Sequence, residues 1–75
     1  MKRTYVMSTD LKSVGYDETA QILEIEFLNS AIVQYKNVSK IAHLALMTAQ
    51  AKGLHFNTYI KNEFASERIA DGIEE

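Results

Sequence analysis

Hydrophobic and polar positions change their period about halfway along the chain. From Ile22 to Phe27, Leu23, Ile25 and Phe27 alternate with Glu24 and Glu26. That is the period of two that gives a strand one buried and one wet face. Leu28-Asn29-Ser30 reads as a turn, with Asn29 as the residue that tolerates positive φ. Ala31 to Tyr35 is the next strand, with Val33 and Tyr35 on one face and Ile32 and Gln34 on the other. An earlier stretch of β-type residues, Leu11 to Tyr16, ends at the turn cluster Asp17-Glu18-Thr19. Connections this short force antiparallel neighbours, so these strands form a meander. Thr4 to Met7 either adds an edge strand or leads into the first one.

After Tyr35 the spacing becomes helical. Asn37 and Ser39 both suit the N-cap of a helix through Lys40 to Lys52. Ile41, Leu44, Met47 or Thr48, and Ala51 line one face, and Gly53 stands where a helix C-terminus expects glycine. The opposite face, with Ala42, Leu46 and Ala49, is apolar too, which leaves only His43 and Gln50 as a polar line. A helix apolar nearly all round is sandwiched between layers or shared with another subunit. A second helix is expected from about Leu54 to Ala65, carrying Phe56, Tyr59, Ile60 and Phe64. From Ser66 onward the chain reads as a polar, acidic tail that frays, with a single domain assigned to residues 1–69 and the acidic end to residues 70–75. The expected class is α+β: a three-stranded antiparallel meander followed by two C-terminal helices packed on one sheet face. Leu23, Ile25, Phe27, Val33 and Tyr35 should meet Ile41, Leu44, Met47, Phe56, Ile60 and Phe64.

Length and composition sharpen this picture. Seventy-five residues make one domain, and a core of that size supplies only ~3–5 kcal/mol without staples. There is no cysteine, hence no disulfide or thiolate metal site, and self-association into a homodimer becomes an attractive source of stability. The longest nearly apolar run, Ile41 to Ala51, falls short of the ~20 residues a bilayer requires. Met1-Lys2-Arg3 is followed by Thr4, Ser8, Thr9 and Asp10 rather than by an apolar signal region. A cytoplasmic protein with no membrane partner is the expectation.

Catalytic chemistry finds no footing. His43 and His55 fall on different helices without flanking ligands, and Gly15, Gly53 and Gly72 are too scattered for a phosphate loop or a nucleophile elbow. Glu24 and Glu26 share a strand face roughly 7 Å apart, but on a solvated face they have ordinary acidity and little catalytic use. Asn37-Val38-Ser39 matches a glycosylation acceptor, which has no meaning without secretion. No enzyme, metal or cofactor is implied. Charge is more informative: the net charge is −2, yet Phe27 to Asn62 contains no Asp or Glu, while Lys36, Lys40, Lys52 and Lys61 are all cationic. Tyr35, His43, His55 and Tyr59 are interleaved with them. Cations mixed with aromatics are how single-stranded nucleic acid is commonly held. Lys36, Lys40, Lys52 and Lys61 are therefore the candidate phosphate contacts, and Tyr35 and Tyr59 the candidate stacking surfaces. Contact through all four lysines would give a log–log salt slope of about −3 on a single strand. The competing account is that the lysines are ordinary solubilising side chains.

Ser13-Val14-Gly15-Tyr16-Asp17, the hairpin, Tyr35 with Val38, and Gly53-Leu54-His55-Phe56-Asn57 with Ile60 occur in this order. The succession resembles the KTSC domain, a module named for the C-terminus of some lysyl-tRNA synthetases and also found as small stand-alone bacterial proteins. The resemblance spans about Val6 to Ile69. It departs from the family pattern at Val33, which replaces the first tyrosine of a Tyr-x-Tyr, at Ser30 and Ser39, and at His55. The family has no established activity, and its attachment to a tRNA synthetase implies RNA binding. Gly15, Tyr16, Gly53, Phe56 and Asn57 are read as fold residues, Asn57 as a cap of the second helix. Two functions are thus expected to compete: a non-enzymatic module with RNA as partner, and a protein-interaction or homo-oligomerising module using Ala42, Leu46 and Ala49 of the first helix.

Overall fold

Residues 1–72 of the chain are described by the computed structural model. They form β1 (Arg3–Tyr5), β2 (Leu11–Asp17), β3 (Ile22–Phe27), β4 (Ala31–Tyr35), α1 (Lys40–Thr48), α2 (Lys52–Tyr59) and β5 (Ser66–Asp71). The α+β class stands, but the sheet has five antiparallel strands in the order β1-β2-β3-β4-β5 rather than three. Thr4 belongs to an edge strand pairing with Val14. The polar run from Ser66 does not fray as expected: it pairs with β4 from Tyr35↔Ser66 to Ala31↔Asp71. A solvent-facing edge strand leaves no apolar alternation in the sequence, which is why this one reads as tail. Residues 73–75 of the expected tail lie outside the described residues.

The sheet's inner face carries Leu11, Val14, Leu23, Ile25, Val33 and Tyr35, and Leu46, Phe56 and Ile60 cover them. Leu11 and Val14 have opposite parity along β2, and a register shift between Leu11 and Ser13 brings both inward, as a β-bulge does. Phe56 meets Phe27 and Tyr35 edge to face, with ring centroids 5.6 and 5.4 Å apart. The β3–β4 turn departs from expectation in detail. Ser30, not Asn29, takes the positive φ of 72°, while Asn29 Oδ1 accepts the Ala31 N–H at 3.0 Å.

The helices differ from the sequence reading in length and in facing. Ser39 is the N-cap of α1, its hydroxyl accepting from the Ala42 N–H. Asn37 instead turns the chain at φ 61°. α1 stops at Thr48 rather than Lys52, since Ala49 is extended at ψ 139° and the Lys52 ammonium donates to the Ala49 carbonyl at 2.9 Å. One rod from Lys40 to Tyr59 would run about 30 Å, longer than the two smaller dimensions of the molecule, 25 and 23 Å. Breaking it lets Leu46 and Phe56 land on the same sheet. Gly53 is consequently in the first turn of α2, buried against Ser8 and Asp10, rather than after α1. Asn57 lies inside α2 instead of capping it, and α2 ends at Tyr59, short of Ala65. The face of α1 is reversed: Ile41 and Leu44, expected in the core, are 79% and 48% exposed, while Leu46 is fully buried.

The outer sheet face has no helical cover, but its carboxylates are not free in solvent as the alternation suggested. Glu24 and Glu26 keep only 15% side-chain exposure, with the Arg3 guanidinium 3.5 and 3.9 Å away. Gln34 Nε2 donates to Glu24 at 2.9 Å and the Ser13 hydroxyl donates to Glu26 at 2.8 Å. Gly15 makes this possible. A Cβ there would stand 2.7 Å from Arg3 Cγ, so the arginine crosses β2 where no side chain intervenes.

Candidate functional site

The helix layer stops short of one edge of the sheet, because α2 ends before the chain returns as β5. What remains is an open cleft of about 580 Å³ between α2, β4, β5 and the loops at residues 9–10 and 27–29. Phe27, Val33 and Phe56 supply its apolar wall, and Asp10, Asn57, Lys61 and Arg68 its polar groups. Arg68 is brought there by register. It pairs with Val33 of the inner face, and the shift between Ile32 and Val33 keeps its parity inward. Asp71 lies 3.9 Å from the Arg68 guanidinium.

Of the expected binding residues, Lys61 and Tyr35 line this cleft. Lys36 faces Glu67 at 3.4 Å and Lys40 faces Glu18 at 3.3 Å. Both carboxylates come from outside the acid-free stretch and fold back onto it. Lys52 is tied to the Ala49 carbonyl. Lys61 lines the cleft and, among the described residues, has no carboxylate within ion-pair distance. Tyr35 sits in the cleft wall but is only 4% exposed with Phe56 against its ring, so both rings serve the core and neither is an open stacking face. Burial raises its hydroxyl pKa, an effect the Arg68 charge partly offsets. Tyr59 is 61% exposed and leans on His55 at 4.8 Å.

The two histidines are separately engaged. His43 lies flat on Tyr16, centroids 4.5 Å apart and planes within 10°, and burial lowers its pKa. Tyr16 in turn donates its hydroxyl to the Val38 carbonyl at 2.6 Å. Ala42 and Leu46, expected to offer a self-association face, point into the chain's own core. Arg68 and Asp10 were not singled out in the sequence. Arg68 sat in what read as a tail, and Asp10 in a polar loop without pattern.

Comparison with known proteins places these features in a family. Residues 7–64 match the KTSC domain, a span that contains Asp10, Asn57 and Lys61 but ends before Arg68. An uncharacterized protein from Stutzerimonas stutzeri is 43% identical over 61 residues, covering 81% of this chain and 86% of its own. A lysine–tRNA ligase from Nostoc punctiforme is 33% identical over 60 residues, 80% of this chain but only 11% of the ligase. The crystal structure of a KTSC domain protein from Yersinia pestis superposes with a TM-score of 0.89 at 36% identity, covering 92% of this chain and 97% of that one. With the match spanning most of the fold and the solved relative superposing almost end to end, the chain belongs to the KTSC domain family.

Proposed function

We propose that this chain is a non-enzymatic binding module that holds single-stranded RNA weakly at the cleft between α2 and β5. The observation that carries the reading is the convergence of Lys61 and Arg68 on a cleft whose apolar wall includes the half-buried Phe27 ring. Cations beside apolar aromatic surface are the pairing that tracks a phosphate backbone while sheltering bases. The similarity of 60 residues to part of a lysine–tRNA ligase supports RNA as the partner. Tyr59 is exposed two residues before Lys61 but does not line the cleft. Lys36, Lys40 and Lys52 join less readily, because each must first give up its present partner.

Two phosphate contacts give a log–log salt slope of about −1.4 on a single strand, half the value that four lysines would produce. Fluorescence anisotropy of a labelled RNA octamer, titrated at 25 and 150 mM salt, measures that slope. Lys61→Glu should remove most of the affinity. No binding at the lower salt ends the proposal. A second reading, a protein-interaction surface, draws on Ile41 and Leu44, which lie one turn apart on the exposed side of α1. Light scattering tests its self-associating form: a dimer mass that Leu44→Lys returns to monomer supports it, and a monomer from the outset removes it.

A further inference from the structure

A carboxylate in a phosphate-binding cleft is electrostatically out of place. The Asp10 side chain is exposed and lines the same cleft as Lys61 and Arg68, where it repels any phosphate held between them. Its position is nevertheless well fixed. The Ser8 hydroxyl accepts the Asp10 and Leu11 N–H groups at 3.1 and 3.2 Å, and the Asp10 carbonyl accepts the Leu28 N–H at 3.1 Å. One carboxylate oxygen sits 2.9 Å from where a Gly53 Cβ would be, beside the N-terminus of α2, whose dipole favours an anion there. Asp71, the other acid of this corner, is engaged with Arg68. The Asp10 backbone is therefore held in place, and its exposed carboxylate borders a cleft whose apolar wall includes Phe27.

We infer that Asp10 reads the base: the cleft takes one unpaired nucleotide, with Lys61 and Arg68 on its flanking phosphates and the Asp10 carboxylate accepting from an exocyclic amine. The inference rests on the RNA reading above. A cleft of about 580 Å³ is of the size that takes one small-molecule-sized group, too small to admit a stacked duplex. Cytosine presents an N4 amine that a carboxylate accepts from. Uracil presents a carbonyl at that position, which meets Asp10 oxygen to oxygen. Both pyrimidines have similar ring area, so packing on Phe27 does not distinguish them.

The test compares 5′-labelled C8 and U8 RNA octamers with the full chain at pH 7.5 and 25 mM salt. One charge-assisted hydrogen bond in a half-open site predicts C8 binding about three- to tenfold tighter. In Asp10→Ala the C8:U8 ratio should fall to about one. An octamer of N4,N4-dimethylcytidine, which lacks the amine hydrogens, should lose the same factor on the unaltered protein. That arm is independent of any effect of the substitution on folding. Equal affinity of C8 and U8 for the unaltered chain, or a ratio that persists in Asp10→Ala, overturns the base-reading role while RNA binding stands. Absence of binding by both octamers overturns the RNA reading itself, and this inference with it.

Discussion

The reversed facing of α1 can be tested by two substitutions two residues apart. Leu46 is fully buried in the cluster with Leu23, Ile25 and Phe56, whereas Leu44 is 48% exposed. Truncating a buried leucine to alanine removes its transfer energy and leaves a cavity, together roughly 2–5 kcal/mol. At Leu44 the change touches a half-wetted side chain, and alanine is as good a helix former as leucine, so the cost stays below about 1 kcal/mol. A chain of 75 residues without staples has a stability of about 3–5 kcal/mol. Leu46→Ala is therefore expected to consume a large fraction of it. With a urea dependence of ~1 kcal/mol per molar for a small domain, the midpoint should drop by about 2–5 M. Leu44→Ala should move it by less than about 1 M. Urea unfolding followed by circular dichroism reads both. A larger loss from Leu44→Ala than from Leu46→Ala would mean that α1 is rotated and that the core described for it is wrong.

Further outcomes follow from the same contacts. Gly15→Ala drives a methyl into Arg3 Cγ and should cost about 1–3 kcal/mol as overpacking. In an Arg3→Ala background most of that cost should vanish, which a double-mutant cycle in urea detects. Burial lowers the His43 pKa in the folded chain, so the folded state favours the neutral ring. Its stability contribution is complete above the unfolded pKa of about 6.5 and is lost as pH falls through 6.5 toward the lower folded value. Urea midpoints at pH 7.5 and 5.5 should differ in that sense, and less so in His43→Gln. In RNA titrations, Lys61→Ala should weaken binding more than Lys36→Ala, because Lys36 already faces Glu67; equal losses would place the contact elsewhere.

What the sequence showed and what it hid follow from the reach of each physical signal. β3 and β4 were legible to the residue because alternation records one wet and one dry face at every second position. β5 was not, since nothing packs on most of Ser66–Asp71, so backbone pairing with β4 is its main anchor and leaves no hydrophobic imprint. The α1–α2 break was hidden for a related reason: Ala49-Gln50-Ala51 consists of good helix formers, and only the limited width of the sheet forces the chain to turn there. Periodicity could not orient α1 either, because both of its faces are apolar and the choice falls to whichever leucine the sheet can reach.

The same limit governs the candidate site. An acid-free stretch of sequence suggested a cationic surface, but charge along a chain becomes charge on a surface only through tertiary placement. Antiparallel pairing of β4 with β5 sets Glu67 opposite Gln34, within reach of Lys36, and the β2–β3 turn brings Glu18 to Lys40. Neutralisation of those lysines is thus a product of register. Register also carries Arg68 into the cleft, since the shift between Ile32 and Val33 alters the parity of every β5 residue before it. Without that irregularity Arg68 would face outward beside Gln34 and Glu24, and the cleft would keep Lys61 as its one cation among the described residues. Deleting Ile69 removes the extra residue yet leaves Arg68 opposite Val33, so a folded deletion variant should keep its RNA affinity, whereas Arg68→Ala should weaken it. A folded deletion variant that binds as weakly as Arg68→Ala would mean that the place opposite Val33 is not what carries the arginine into the cleft.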